Sequence, residues 1–112
     1  MADKDTKAYL HHILDSIRKI ESFVGLCSRE EFFADDMRLS AVLREFEVIG
    51  EAARQMSELY KREHPEVEWE LMVGMRNALI HHYFGVNEDV VWKTYTEDLP
   101  RLKDKVTRLL PA

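Results

Sequence analysis

The sequence predicts an all-α protein: an antiparallel up-and-down bundle of four long helices plus one short extra helix. Three observations carry this. Four stretches repeat apolar residues at helical 3/4 spacing, and no segment shows the strict alternation of a strand. Only four glycines and three prolines interrupt 112 residues, so long helices can run unbroken. Hydrophobic residues make up 46% of the chain and charged residues 33%, a balance of folded rather than disordered chains. That length predicts a single domain spanning residues 1–112.

In the first helix Leu10, Ile13, Ile17, Ile20 and Val24 form one apolar stripe, and Gly25 is its natural stop. Ser28 and Glu31 have capping-box spacing, so a short helix opens there, near residues 29–34. Asp35 and Asp36 interrupt it. Beyond them Leu39, Val42, Phe46, Ile49, Ala53, Met56 and Tyr60 predict one long helix that ends near His64, before Pro65. Pro65, Glu66 and Glu68 suit the first turn of a third helix, with its body from Trp69 to about Phe84 and its stop at Gly85. Asn87 caps the last helix, which carries Val91, Tyr95, Leu99, Leu102, Val106 and Leu109 and which Pro100 should kink or divide.

Charge and composition narrow the function. The formal net charge of −5 argues against generic nucleic-acid coating, which calls for a basic surplus, but leaves room for a local basic cleft. No apolar run approaches the roughly 18 residues of a membrane span, and the polar start has no signal-peptide core. The single Cys27 cannot form an internal disulfide and reads as packing. Together these predict a cytoplasmic protein.

The segment Arg76-Asn77-Ala-Leu-Ile-His81-His82-Tyr83 gathers a guanidinium, an amide, two imidazoles and a phenol at a helix end. These groups can hold a phosphate, move a proton and accept a modification. A plain solvated helix end is the competing reading, because the helix dipole favours histidine cations in last turns. At about 100° per residue, Arg76 and Tyr83 share a face, whereas Arg76 and His81 lie about 140° apart. Either the arginine swings round or a second subunit completes the site, which is a reason to expect a dimer. Adjacent histidines such as His11-His12 and His81-His82 diverge too far to chelate, and no acid or cysteine has ligand spacing around them, so no metal is expected. Trp69 and Trp92 read as core anchors, and the acids at 30, 31, 35 and 36 as a solvated face. Gly50-Glu51-Ala52-Ala53 allows close helix packing, with Glu51 an acid able to face an arginine.

Ile49-Gly50-Glu51-Ala52-Ala53, Trp69, Gly74-Met75-Arg76-Asn77, His81-His82-Tyr83, Val91-Trp92 and Leu99-Pro100, in that order, resemble the HepT-like branch of the HEPN superfamily. The resemblance runs from about residue 8 to 110. It implies a dimeric helical bundle acting as a metal-independent ribonuclease, the toxin of a type VII toxin–antitoxin pair. The family motif is an arginine, four to six residues, a histidine, one residue and a tyrosine. Arg76, His81 and Tyr83 fill it with the shortest gap. Asn77 takes the polar position after the arginine, and only His81, not His82, leaves Tyr83 in register.

The resemblance also implies a partner. An MntA-like nucleotidyltransferase antitoxin uses ATP and Mg²⁺ to attach AMP to the motif tyrosine, here Tyr83, while the chain itself needs no cofactor. In the implied chemistry the RNA 2′-OH attacks its own 3′-phosphate. His81 moves the proton, Arg76 stabilises the developing phosphoryl charge, and Asn77, His82 and Glu51 support them. The alternative function is a non-catalytic subunit that presents nucleotide or substrate to a nucleotidyltransferase.

Overall fold

The computed structural model describes residues 4–80 and 87–111, with the backbone alone at 76–80. Helix α1 (Lys4–Val24) buries Leu10, Ile13, Leu14, Ile17, Ile20 and Val24, the predicted stripe with one residue added. Each such aliphatic side chain contributes about 1.5–3 kcal/mol of burial free energy. Gly25 ends the helix at φ +55°, a left-handed conformation that glycine adopts at little cost. Its N–H donates to the Glu21 carbonyl at 2.9 Å, and the Cys27 N–H donates to the Val24 carbonyl at 3.0 Å, so two of the last turn's carbonyls are satisfied.

Helix α2 (Arg29–Ala34) opens on the expected capping box: the Ser28 hydroxyl accepts from the Glu31 N–H, and the Glu31 carboxylate accepts from the Ser28 N–H. Asp35 closes α2 and caps α3 (Asp36–Gln55), taking the Arg38 N–H. The Arg38 guanidinium then donates to the Phe23 carbonyl at 2.6 Å, pinning the start of α3 to the end of α1. Along α3 the residues Val42, Phe46, Ile49, Gly50, Ala52 and Ala53 are buried, and α3 packs between α1 and α5 (Trp69–Ile80).

Two expectations need correction. The long helix predicted to reach His64 stops at Gln55, and a separate short helix α4 (Glu58–Glu63) follows. Met56 and Ser57 are extended, and the Ser57 hydroxyl accepts the Tyr60 N–H as a cap. Serine stabilises a helix start better than a helix interior, so the chain breaks there. The apolar spacing survives the break because Met56 and Tyr60 both still reach the core. The next helix begins at Trp69 rather than at Pro65. Residues 64–68 form a corner in which Val67 turns inward and the Trp69 indole donates to the His64 carbonyl at 2.9 Å. Burying Val67 and Trp69 together outweighs the preference of proline for a first helical turn.

Asn87 caps α6 (Glu88–Lys93) by accepting the Val90 N–H, as predicted. The run then passes through a π-helical turn (Thr94–Asp98) into α7 (Leu99–Leu109), with Pro100 in the first turn of α7. Proline has no N–H, and its ring would clash with the carbonyl four residues earlier. The wider turn, in which the Leu99 N–H reaches the Thr94 carbonyl, accommodates both defects. Pro100 therefore divides the helix.

The fold is all-α, and no strand occurs among the described residues. Its long members are α1, α3, α5 and the α6–α7 run, with α1 packed between α3 and α7. Phe32, Phe33, Trp92 and Tyr95 stack in sequence and, with the Arg29–Asp89 ion pair, lock α2 onto α6 and the turn after it. Lys103–Glu21 and Arg101–Glu68 tie α7 to α1 and to the residue just before α5. Half-buried Cys27 packs against the core.

Candidate active site on the α3–α5 pair

Helix α5 carries the backbone of the first part of the Arg76–Tyr83 segment, through Ile80. Met72 and Met75 are buried along it, and Trp69 anchors its start. These apolar side chains hold α5 against α3, so the helical backbone carries positions 76 and 77 alongside the helix that bears Glu51. By helical register, position 76 lies about 40° from Met72, at the flank of the buried side. The side chains of Arg76 and Asn77 lie outside the described residues. So do His81, His82, Tyr83 and the Gly85 stop.

Glu51 is half-buried on α3. Its carboxylate accepts from the Arg54 guanidinium at 2.8 Å and 3.3 Å and from the Gln55 amide at 3.0 Å. That hydrogen bonding keeps Arg54 protonated more firmly than an isolated arginine. Glu51 opens onto a groove of about 440 Å³ between α1 and α3, shared with Tyr9, His12, Arg44 and Glu47. Sequence reading singled out Glu51 but not its neighbours in this groove. The available signal was the 3/4 spacing of Arg44, Glu47, Glu51 and Arg54, a polar stripe along a helix otherwise read for its apolar one.

The tyrosines differ in environment. Burial raises the Tyr60 phenol above its ordinary pKa, with Glu66 and Glu63 adding to the effect. Burial and Glu21 do the same for Tyr95. Tyr60 is buried, whereas Tyr95 and Tyr9 are half-buried. His11 and His12 are exposed on α1, and His64 stacks on Tyr60 with ring centres 4.4 Å apart. Among the described residues no three histidine, cysteine or acidic side chains gather as metal ligands would. No helix described is long and apolar enough to cross a membrane.

Comparison with known proteins then narrows the chemistry. Residues 13–109 match the family model described as ribonuclease HepT-like. A Thermococcus cleftensis protein named as a probable ribonuclease HepT is 45% identical over 103 residues, covering 92% of this chain and 94% of that protein. A Methanocaldococcus jannaschii protein provisionally named RNase MJ1380 is 40% identical, covering 95% of this chain and 97% of its own length. Caldanaerobacter subterraneus has one provisionally named RNase TTE0752, 36% identical over 96% of each. No solved structure matches the chain.

Proposed function

The chain belongs to the HepT-like family of ribonucleases, and from that premise we propose that it is a metal-independent endoribonuclease with Arg76 and His81 as its catalytic residues. Family membership, together with an intact Arg-x4-His-x-Tyr segment at Arg76, His81 and Tyr83, is the observation that carries the reading. The reaction needs no activated water. The 2′-OH of the RNA attacks the adjacent phosphorus, the 5′-oxygen of the next nucleotide leaves, and a 2′,3′-cyclic phosphate forms. His81 either takes the 2′-OH proton or protonates the leaving 5′-oxygen, and solvent water makes the other proton transfer. The Arg76 guanidinium stabilises charge building on the non-bridging oxygens, and Asn77 orients the phosphate. Glu51 and His82 are supporting groups.

The same reading gives the chain a cytoplasmic toxin's role, as a homodimer controlled by a nucleotidyltransferase antitoxin. In that control the Tyr83 oxygen attacks the α-phosphorus of ATP, pyrophosphate leaves, and the phenolic proton passes to solvent. The resulting phosphodiester carries negative charge into the neighbourhood of Arg76 and repels substrate phosphate.

Incubation of the purified chain with single-stranded RNA in EDTA tests the nuclease reading. Cleavage leaving 2′,3′-cyclic ends, with the all-2′-deoxy analogue uncut, is the expected result. Abolition of cleavage by EDTA, or cutting of the deoxy analogue, overturns it. Mass spectrometry after co-expression with a cognate nucleotidyltransferase tests the control. AMP on Tyr83 and a Tyr83→Phe protein that escapes silencing are expected, and an adduct on another tyrosine refutes it.

A further inference from the structure

The groove between α1 and α3 has its own recognition chemistry. Half-buried Tyr9 meets His12 edge to face, with ring centres 6.3 Å apart and planes at 77°. Arg44 stands exposed at the groove and makes no ion pair with any described residue. Arg54 and Gln55 hold the Glu51 carboxylate, while half-buried Glu47 faces the same space. A volume of about 440 Å³ is on the scale of a nucleotide rather than of a helix.

We propose that this groove binds one unstacked nucleotide of single-stranded RNA, a ligand class that rests on the ribonuclease reading. The mixture of charges decides between a base pocket and a phosphate track. A track that follows the RNA backbone needs a run of cations, whereas here Glu47 and Glu51 balance Arg44 and Arg54. The Glu47 carboxylate can accept from base amino and imino groups, which is how unpaired bases are read on their Watson–Crick edges, while Glu51 is held by Arg54 and Gln55. Tyr9 supplies an aromatic surface for the base, and Arg44 is the cation available to its phosphate. The acidic net charge of the chain fits this division, with selectivity coming from base contacts rather than from diffuse attraction.

The test uses the full chain and a short, mixed-sequence 2′-O-methyl oligoribonucleotide, which lacks the attacking hydroxyl and is not cut. Fluorescence anisotropy of wild type, Tyr9→Leu and Arg44→Gln is measured across a salt series. Both variants are expected to bind at least fivefold more weakly with unchanged thermal melting. Loss of the Arg44 phosphate contact should lower the log–log salt slope by about 0.7. With cleavable RNA the defect should fall on KM rather than on kcat. Unchanged affinity and KM in both variants, in a protein that cuts RNA, overturns the groove and leaves the ribonuclease reading intact. Variant-sensitive oligonucleotide binding by a protein that cuts no RNA supports the groove and ends that reading. A change of either variant from dimer to monomer in sedimentation overturns the proposal by making the groove a subunit contact.

Discussion

Replacing Phe46 by alanine should remove a large part of the chain's stability without changing its fold. Phe46 is completely buried in the middle of α3, the helix that packs against both α1 and α5. A fully buried phenylalanine cut to alanine costs about 3–5 kcal/mol, combining lost transfer energy with the cavity left behind. The chain's 112 residues imply a total stability of about 6–17 kcal/mol. The variant should therefore remain folded at 25 °C, with Tm lowered by about 13–21 °C. Urea unfolding followed by circular dichroism measures this directly, with the midpoint falling and the m-value held. Repeating it at two protein concentrations separates core loss from mass action in an oligomer. A loss below about 1.5 kcal/mol, the range of volume-conserving core swaps, would refute the packing described around α3.

Ser57→Ala should cost about 1 kcal/mol, because it removes the cap that starts α4, and urea melts should show no change of slope. Gly74→Ala should stabilise the chain by about 0.5–1 kcal/mol, since glycine is unfavourable inside α5 and an added Cβ meets no described atom within 4 Å. A destabilised Gly74→Ala protein would instead indicate that a second chain packs on that face. The Arg101 hydrogen bond lowers the Glu68 pKa in the folded state, so the pair's stabilisation is present above the ordinary glutamate pKa of about 4.3 and is lost as pH falls through the lower folded value. Arg101→Ala should flatten the acid limb of the stability–pH curve below that point, and an unchanged limb would dismiss the pair.

Helix periodicity made most of the fold legible in advance. The stripe from Leu10 to Val24, the Ser28–Glu31 box, the Gly25 stop, the Asn87 cap and the division at Pro100 each follow from local chemistry that acts within a few residues. The misread places are those where local signals competed. Ser57 offered a cap inside an apolar pattern that continued through it to Tyr60. Pro65 offered a helix start that burial of Val67 and Trp69 overrode. The motif reading rests on the sequence order of Arg76, Asn77, His81, His82 and Tyr83 alone, because their side chains lie outside the described residues. The groove between α1 and α3 was only half legible. Glu51 stood out beside small residues, whereas Tyr9, His12 and Arg44 meet it only when α1 is laid against α3, a long-range event that spacing along one helix does not encode.

Cleavage of labelled RNA by wild type, Arg76→Ala and His81→Ala, in EDTA and at equal folded concentration, is the most direct measurement. Both substitutions lie in the Arg-x4-His-x-Tyr segment, where Arg76 and His81 are the residues proposed to act at the reacting phosphate. Losses of at least about 100-fold in the cleavage rate are expected for each, with His82→Ala much closer to wild type and circular dichroism melting of all three preserved. Cleavage by His81→Ala at the wild-type rate, in a protein that melts normally, would contradict the catalytic assignment outright.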